Sequence, residues 1–445
     1  MCILDKIMKS NTFLHQIQKG IIFKILSAEF FFHPLYMKAF SMLHRLSPEE
    51  RREYQFYRLQ RLLQYAWRAI PYWGRLIGED LADSNPFDIK KFEQLPILTR
   101  ETLIKYGPEC IVRDLSRYKY RTFVTSGSTG IPKKYVGKKI YFQKMVATEK
   151  FYINYLGVSF KQLGYMAYKP HLEDFWTYIP TTLSINALQK LLRDKNVLAA
   201  GGPLHRLLSI AEQVETGKIQ FKPKFVLSGS EFLTVESRKY LERVFQCPVY
   251  NKYVCAEVGV MGLECQEQGG FHIDPVNFYM EIVDDNGQIV EKGAQGRIII
   301  TIFNNRLMPL IRYDIGDIGK WADGECTCGL TTPRISFEGR QLDYIRFSDG
   351  RKFSAVDLIR SIDREFTNVI AKQQVVQESL SKIVFKFVPG PGYHSFHDEQ
   401  IRNFICHLFR NFPEMSVEVV PVTFLDNFKN GKHIVFETHI KGRIL

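Results

Sequence analysis

From Thr122 onward the chain is written in short apolar runs closed by Gly, Pro or Ser, with helical stretches between them. KFVLSGSEF (Lys224–Phe232) and PVYNKYVCAE (Pro248–Glu257) read as buried strands with loops at their C-terminal ends. VESRKYLERVF (Val235–Phe245) reads as the helix that joins them. That alternation predicts an α/β fold, whose ligand sites lie where the strands end. A chain of 445 residues is also too long for one core, so two or more domains are expected.

The flanking regions read differently. Tyr54, Tyr57, Leu59, Leu62, Leu63, Tyr65 and Ala66 recur at helical spacing between Ser47 and Trp73, and Pro71 ends that helix. FYMEIVDDNGQIV (Phe278–Val290) predicts a hairpin turning at Asn286-Gly287, and GRIIITIF (Gly296–Phe303) another strand. Beyond Gly339-Arg340 the pattern is a small α+β unit. It comprises helix Ala355–Phe366, strand Lys382–Val388, helix Glu399–Phe409 and strand Ser416–Phe424. The expected organisation is a large N-terminal domain over residues 1–339 and a small C-terminal domain over 340–445. There are no internal repeats or low-complexity tracts.

Hydrophobic residues at 45% and charged residues at 24% exclude a disordered chain or a coiled coil. The net charge of +13 raises nucleic acid or an anionic surface as partners. The basic residues are scattered and interleaved with acids, as in SPEERREYQFYRLQR, which favours a solvated surface and no nucleic acid. No apolar run reaches membrane-spanning length. GIIFKILSAEFFFHPLYM (Gly20–Met37) is interrupted by Lys24 and Glu29 and reads as a buried N-terminal helix, with weak membrane-surface contact as the alternative. Cys2, Cys110, Cys247, Cys255 and Cys406 are isolated and no secretion signal precedes them, so reduced thiols in a cytoplasmic protein are expected.

VTSGSTGIPKKYV (Val124–Val136) is the stretch richest in chemistry. Its glycines let backbone N–H groups approach an anion, its hydroxyls donate further bonds, and its lysines add charge. The Walker spacing is absent, so this segment alone is either a phosphate cradle or a surface loop. Other motifs follow in order: LSGSEFL (Leu227–Leu233), YVCAE (Tyr253–Glu257), MPLIRYDIGD (Met308–Asp317), GRQLDYI (Gly339–Ile345) and NGKHIVFE (Asn430–Glu437). Together these six resemble the signature of the adenylate-forming enzymes, the acyl-CoA synthetase superfamily. LSPEERREYQFYRLQRLLQYAWRAIPYW and NNRLMPLIRYDIGDIG are similar in detail to the phenylacetate–CoA ligase family, in its capsule-biosynthesis-type branch. The resemblance runs from about Ser47 to the C-terminus.

The resemblance implies a large adenylate-forming domain, a small mobile domain, and attack of a substrate carboxylate on the α-phosphorus of ATP. Both reactants are anionic, so catalysis would be chiefly neutralisation and positioning. By that mapping Thr125, Ser126, Gly127, Ser128, Thr129 and Gly130 hold the β- and γ-phosphates, helped by Lys133. Ser230 and Glu231 belong to the adenine-side loop and Tyr253 stacks on adenine. Asp317 accepts from the ribose hydroxyls, and Glu257 holds Mg²⁺. Arg340 marks the interdomain hinge, and Lys432 bridges the attacking carboxylate and the nucleotide. Thr129, Glu257 and Lys432 carry the catalytic assignment. In one departure, Leu342 stands where many members have an acidic residue, with Asp343 next to it.

ECQEQGGFH (Glu264–His272) and ECTCG (Glu325–Gly329) supply Cys265, His272, Cys326 and Cys328. A Cys₃His set suits tetrahedral Zn²⁺ with no open position, and would be structural; the alternative is reduced free cysteines. The expected activity is ATP- and Mg²⁺-dependent activation of a carboxylic acid, aryl by resemblance, with coenzyme A as acceptor. An amine or a carrier-protein thiol is the alternative acceptor. No fused carrier domain is expected, since the chain ends 13 residues after Lys432. A non-catalytic nucleotide-binding scaffold is the reading from another class.

Overall fold

A computed structural model describes residues 12–28, 33–125, 133–167, 177–180, 183–255, 257–340, 344–366, 369–425, 428–429, 432–433 and 436–440. Its contacts define two compact units. Met1–Leu156, Val254–Ile315 and Lys320–Ser336 form the first; Gly157–Tyr253, Gly316–Gly319 and Phe337–Leu445 form the second.

In the first unit the helix expected after Ser47 runs Pro48–Ala69. Ser47 accepts from the Glu50 amide and the Glu50 side chain accepts from Ser47 N–H, which closes a capping box over two orphan amides. Tyr54, Leu59, Leu62, Leu63 and Ala66 form its buried stripe. Ile70 is extended, as a residue before proline prefers, and Pro71 opens the next helix, Pro71–Leu76. The segment Gly20–Met37 departs from expectation. It is shared between two helices, Thr12–Ser27 and His33–Leu43, with 29–32 outside the described residues. Each helix is one-sided: Ile22, Leu26, Tyr36 and Phe40 are buried, while Ile21 and Leu35 face water.

The strands that lie wholly or partly in this unit follow the order Phe278–Val283, Gly296–Ile302, Tyr313–Trp321, Arg334–Arg340, Phe271–Ile273, Gly259–Glu264, with Gly316–Gly319 and Phe337–Arg340 counted in the second unit. Asn286-Gly287 does turn the chain, with Gly287 at φ 81°, where a side chain would be strained. The hairpin there shrinks to one bridge, Val283 with Ile289, because Phe278–Val283 takes its full antiparallel partner from Gly296–Ile302. Helix Lys139–Tyr155 and the hairpin Arg121–Thr125/Lys133–Gly137 complete the parts used below.

The second unit contains the α/β pattern that was expected. Strands Thr177–Pro180, Leu163–Ala167, Ala199–Pro203, Phe225–Gly229 and Val249–Cys255 lie side by side in that order, all parallel. Helices Ile185–Asp194, Leu204–Glu215 and Val235–Phe245 connect them and bury Leu188, Leu192, Leu207, Ile210, Leu241 and Phe245 against the sheet. Its C-terminal part has helices Ala355–Glu365 and His397–Leu408 and a sheet ordered Ser416–Pro421, Lys382–Pro389, Ile370–Ser379, Phe436–Thr438. Strand Ile370–Ser379 was not anticipated. Gln373, Gln374 and Gln377 are buried in it, so its sequence lacks the apolar alternation that marks a strand.

Candidate active site

The strands on either side of the glycine-rich segment, Arg121–Thr125 and Lys133–Gly137, pair Arg121 with Gly137 at one end and Thr125 with Lys133 at the other. Ser126, Gly127, Ser128, Thr129 and Gly130 fall outside the described residues, as do the side chains of Thr125 and Lys133. Tyr135, two residues into the returning strand, is buried and donates through Oη to Glu257 Oε1 at 2.8 Å. Tyr313, which opens the strand Tyr313–Trp321, lies 3.4 Å from the same oxygen and 3.2 Å from the Tyr135 hydroxyl. Tyr141, on helix Lys139–Tyr155, donates to the Glu257 carbonyl. Burial, and then the Glu257 charge, push both the Tyr135 and Tyr313 phenols well above the ordinary tyrosine range, so they remain donors. Three motifs far apart in sequence thus meet at one carboxylate. Sequence reading had marked Glu257 and overlooked the two tyrosines that orient it. Their place inside the marked motifs was the available signal.

In the second unit Tyr253 and Asp317 come together: the buried phenol donates to Asp317 Oδ2 at 2.7 Å, and its ring packs on Phe337 with centroids 5.9 Å apart. Ser230 follows the C-terminal end of strand Phe225–Gly229 at φ 71°, a left-handed backbone that non-glycine residues adopt at a cost. Glu231 is engaged with His205. Its carboxylate accepts from the His205 backbone N–H at 2.9 Å and meets Nδ1 at 2.7 Å. The contact satisfies an orphan amide at the start of helix Leu204–Glu215 and places negative charge where the helix dipole favours it. Arg340 ends the strand Arg334–Arg340, and Lys432 lies in the two-residue strand Lys432–His433, opposite Lys429. The side chains of Arg340 and Lys432, and Leu342 and Asp343 altogether, lie outside the described residues.

The four Cys/His residues converge within the first unit. Strand Gly259–Glu264 delivers Cys265 into a turn, and strand Phe271–Ile273 returns with His272. Arg334 pairs with His272 across the sheet, which brings the Cys326–Cys328 knuckle alongside. One ligand atom from each of the four lies within 4.8 Å of every other. Cys265 and Cys326 sulfurs are 3.5 Å apart, and Cys328 Sγ is 3.3 Å from His272 Nε2. Zinc–sulfur and zinc–nitrogen bonds of about 2.3 and 2.0 Å in a tetrahedron need ligand separations of about 3.5–3.8 Å, so the set fits that ion. Burial pushes His272 down to about 4, which keeps the ring neutral as a ligand must be. Its Nδ1 lies 3.1 Å from Thr332 Oγ1 and 3.3 Å from the Thr332 carbonyl, so that nitrogen carries the hydrogen and Nε2 faces the sulfurs. Tyr152 donates to the His272 carbonyl and Tyr155 to the Cys328 carbonyl, tying helix Lys139–Tyr155 to both arms.

No family profile matches the chain. It is 24% identical over 323 residues to the phenylacetate-coenzyme A ligase of Thermus thermophilus, covering 66% of this chain and 71% of that protein. It is 23% identical over 363 residues to the CapK protein of Staphylococcus aureus, covering 76% and 78%. Among solved structures, 2-hydroxyisobutyryl-CoA ligase in the postadenylation state with 2-HIB-AMP superposes with a TM-score of 0.72 at 17% identity, covering 88% of this chain and 91% of that one. The amide bond synthetase McbA of Marinactinospora thermotolerans gives 0.53 at 13% identity, covering 70% and 66%. The fold is that of the adenylate-forming ligases. Its sequence is similar to a phenylacetate-coenzyme A ligase and to CapK, at 24% and 23% identity.

Proposed function

We propose that this protein activates a carboxylic acid with ATP to an acyl-adenylate and then transfers the acyl group to coenzyme A. The observation that carries the reading is the junction at Glu257, where Tyr135 from the glycine-loop hairpin and Tyr313 from the IRYDIGD segment meet one carboxylate oxygen. In the first half-reaction a carboxylate oxygen bonds to the α-phosphorus while the bond to the bridging oxygen breaks and pyrophosphate leaves. In the second, the thiolate attacks the acyl carbon and AMP leaves. A Mg²⁺ ion, when bound, neutralises phosphate oxygens, and Glu257 is the residue assigned to hold it. Thr125, Ser126, Gly127, Ser128, Thr129, Gly130 and Lys133 cradle phosphates, and Ser230 with Glu231 shapes the adenine side. Tyr253 orients Asp317 toward the ribose, and Lys432 brings positive charge to the reacting oxygens. Residues from Arg340 onward form the mobile small domain. Cys265, His272, Cys326 and Cys328 hold a structural Zn²⁺ that fastens the two turns to helix Lys139–Tyr155.

The likeness to curated relatives of this class supports the reading, and the acid is taken to be aryl by analogy with phenylacetate. The test is product identification. With ATP, Mg²⁺ and a panel of aryl acids, mass spectrometry should detect an acyl-CoA that appears only when coenzyme A is present. An acyl hydroxamate formed with hydroxylamine, and no thioester under any condition, would keep the adenylation and reassign the acceptor to an amine or a carrier thiol. Absence of both would count against the reading.

A further inference from the structure

On helix Lys139–Tyr155, residues Tyr141, Met145, Thr148, Tyr152 and Tyr155 recur at alternating steps of four and three, so all five lie on one face. Each of them touches either the stretch from Glu257 to Asp274 or the Cys326–Cys328 knuckle. Tyr141 donates to the Glu257 carbonyl. Met145 lies over Gly259, which adopts φ 83°; a Cβ there would come within 2.7 Å of the Met145 methyl carbon, so the close approach needs glycine. Thr148 donates to Asp274 Oδ2 at 2.6 Å, Tyr152 to the His272 carbonyl at 2.8 Å, and Tyr155 to the Cys328 carbonyl at 2.6 Å.

The backbone supplies a second tie. Strand Gly259–Glu264 leaves the turn that holds Glu257 and ends at Cys265, and its Leu263 pairs with His272 on the neighbouring strand. Helix and strand thus both connect the Glu257 carboxylate to the Cys/His cluster, the helix over about 21 Å between Tyr141 and Tyr155. At the cluster end the helix is fastened to two separate turns. The knuckle is bounded by Gly324 and Gly329 at φ 68° and 87°, backbone that bends at little cost. Zinc, when bound, joins the knuckle to the Cys265–His272 arm through four coordinate bonds, and so fixes the spacing of the two carbonyls that Tyr152 and Tyr155 grip. Any slack between those turns is passed along a stiff helix to Tyr141 and the Glu257 carbonyl.

We propose that Tyr141, Tyr152 and Tyr155 are positioning residues through which zinc at the Cys/His cluster sets the orientation of the Glu257 carboxylate for Mg²⁺. The inference rests on the zinc and Glu257 assignments made above and adds that the two metals are energetically coupled. Such coupling is reciprocal: the factor by which zinc strengthens Mg²⁺ binding to the ATP complex is the factor by which Mg²⁺ strengthens zinc binding to it. Calorimetry of the full-length protein with ATP, in Mg²⁺-free buffer and at saturating Mg²⁺, gives the gain in ATP affinity due to Mg²⁺. Tyr152→Phe/Tyr155→Phe keeps all four zinc ligands, so zinc content and ATP affinity without Mg²⁺ should match wild type. Its Mg²⁺ gain should fall about fivefold or more, the lower range of coupling between sites. Competition with a zinc-selective chelator should show that Mg²⁺ tightens zinc binding to ATP-bound wild type by a similar factor and leaves the double variant unaffected. Tyr141→Phe, which cuts the connection at its other end, should show the same two losses and serves if the double variant does not fold. An unchanged Mg²⁺ gain in a zinc-loaded variant, or zinc affinity indifferent to Mg²⁺ in wild type, would overturn the proposal and leave both metal assignments standing. Wild type that holds no zinc, or whose ATP affinity ignores Mg²⁺, would overturn it together with the corresponding assignment.

Discussion

Arg312 offers the sharpest energetic test of how the site is supported. It precedes Tyr313, adopts φ 46°, and is buried against Glu281, with Nη2 3.0 Å from Oε1. Its guanidinium also donates to the carbonyls of Glu93, Leu95 and Gly287, the last two at 2.6 and 3.3 Å. Burial pushes the Glu281 carboxyl up to about 7 even with the guanidinium beside it, because no water reaches the pair. Arg312→Met leaves Glu281 buried alone and orphans the carbonyls, which should cost about 3–5 kcal/mol of unfolding free energy at pH 7. The sign with pH follows. An acid whose folded pKa is raised adds stability below its unfolded value of about 4.3 and loses it as pH climbs towards the folded value. Wild type should level off above pH 7, where Glu281 is ionised. The variant, its carboxyl raised further, should keep falling by up to about 1.4 kcal/mol per unit, roughly 2 kcal/mol between pH 7 and 8.5. Urea unfolding followed by tryptophan fluorescence at the two pH values measures both. Arg312→Met/Glu281→Met removes the stranded charge and should recover most of the loss. A cost below about 1.5 kcal/mol with no pH dependence, or no recovery in the double variant, would refute the reasoning.

Three further outcomes are expected. Tyr135→Phe and Tyr313→Phe each remove a phenol from Glu257, and a hydrogen bond to a charged group is worth about 1.5–3 kcal/mol. Each should therefore raise the Mg²⁺ concentration needed for half-maximal activity by about tenfold or more with the fold intact; an unchanged Mg²⁺ requirement would argue against Glu257 as the ligand. Purified protein should carry one zinc per chain by atomic emission, and Cys328→Ser should lose it and melt at lower temperature. Metal-free wild type with the same melting point as Cys328→Ser would favour free thiols. His44, buried with Nδ1 2.9 Å from the Phe40 carbonyl, is pushed down to about 3 by burial. Its contribution is complete above about pH 6.5 and is lost as pH falls, so pH 5 should cost about 2 kcal/mol that His44→Gln does not lose.

Much of the fold was legible because local chemistry and global structure agree. The helical spacing after Ser47, the break at Pro71 and the turn at Gly287 act within a few residues, and each appears where its chemistry directs. The Cys/His clusters were legible for the same reason: ligand types and spacing survive in sequence, and only their convergence needed structure. What escaped depends on long-range pairing. Tyr135 and Tyr313 look like ordinary core aromatics until Glu257 is placed between them. Glu231 reads as a ligand-facing loop residue until His205 is seen across from it. Strand Ile370–Ser379 hides because Gln377, fully buried, is satisfied by backbone groups: it donates to the Arg346 and Ser379 carbonyls and accepts from Arg346 N–H. A polar residue that meets its needs through distant backbone leaves no hydrophobic period to read.

The central claim is acid-dependent attack on the α-phosphorus of ATP, and pyrophosphate–ATP exchange reads that step without needing the acceptor. Labelled pyrophosphate should enter ATP only when Mg²⁺ and a suitable carboxylic acid are present. Lys432→Ala should slow the exchange by about a hundredfold or more while ATP still binds, since it removes charge stabilisation at the reacting oxygens. No exchange across a broad panel of aryl and aliphatic acids by folded, ATP-binding protein, or exchange indifferent to Lys432, would contradict the account.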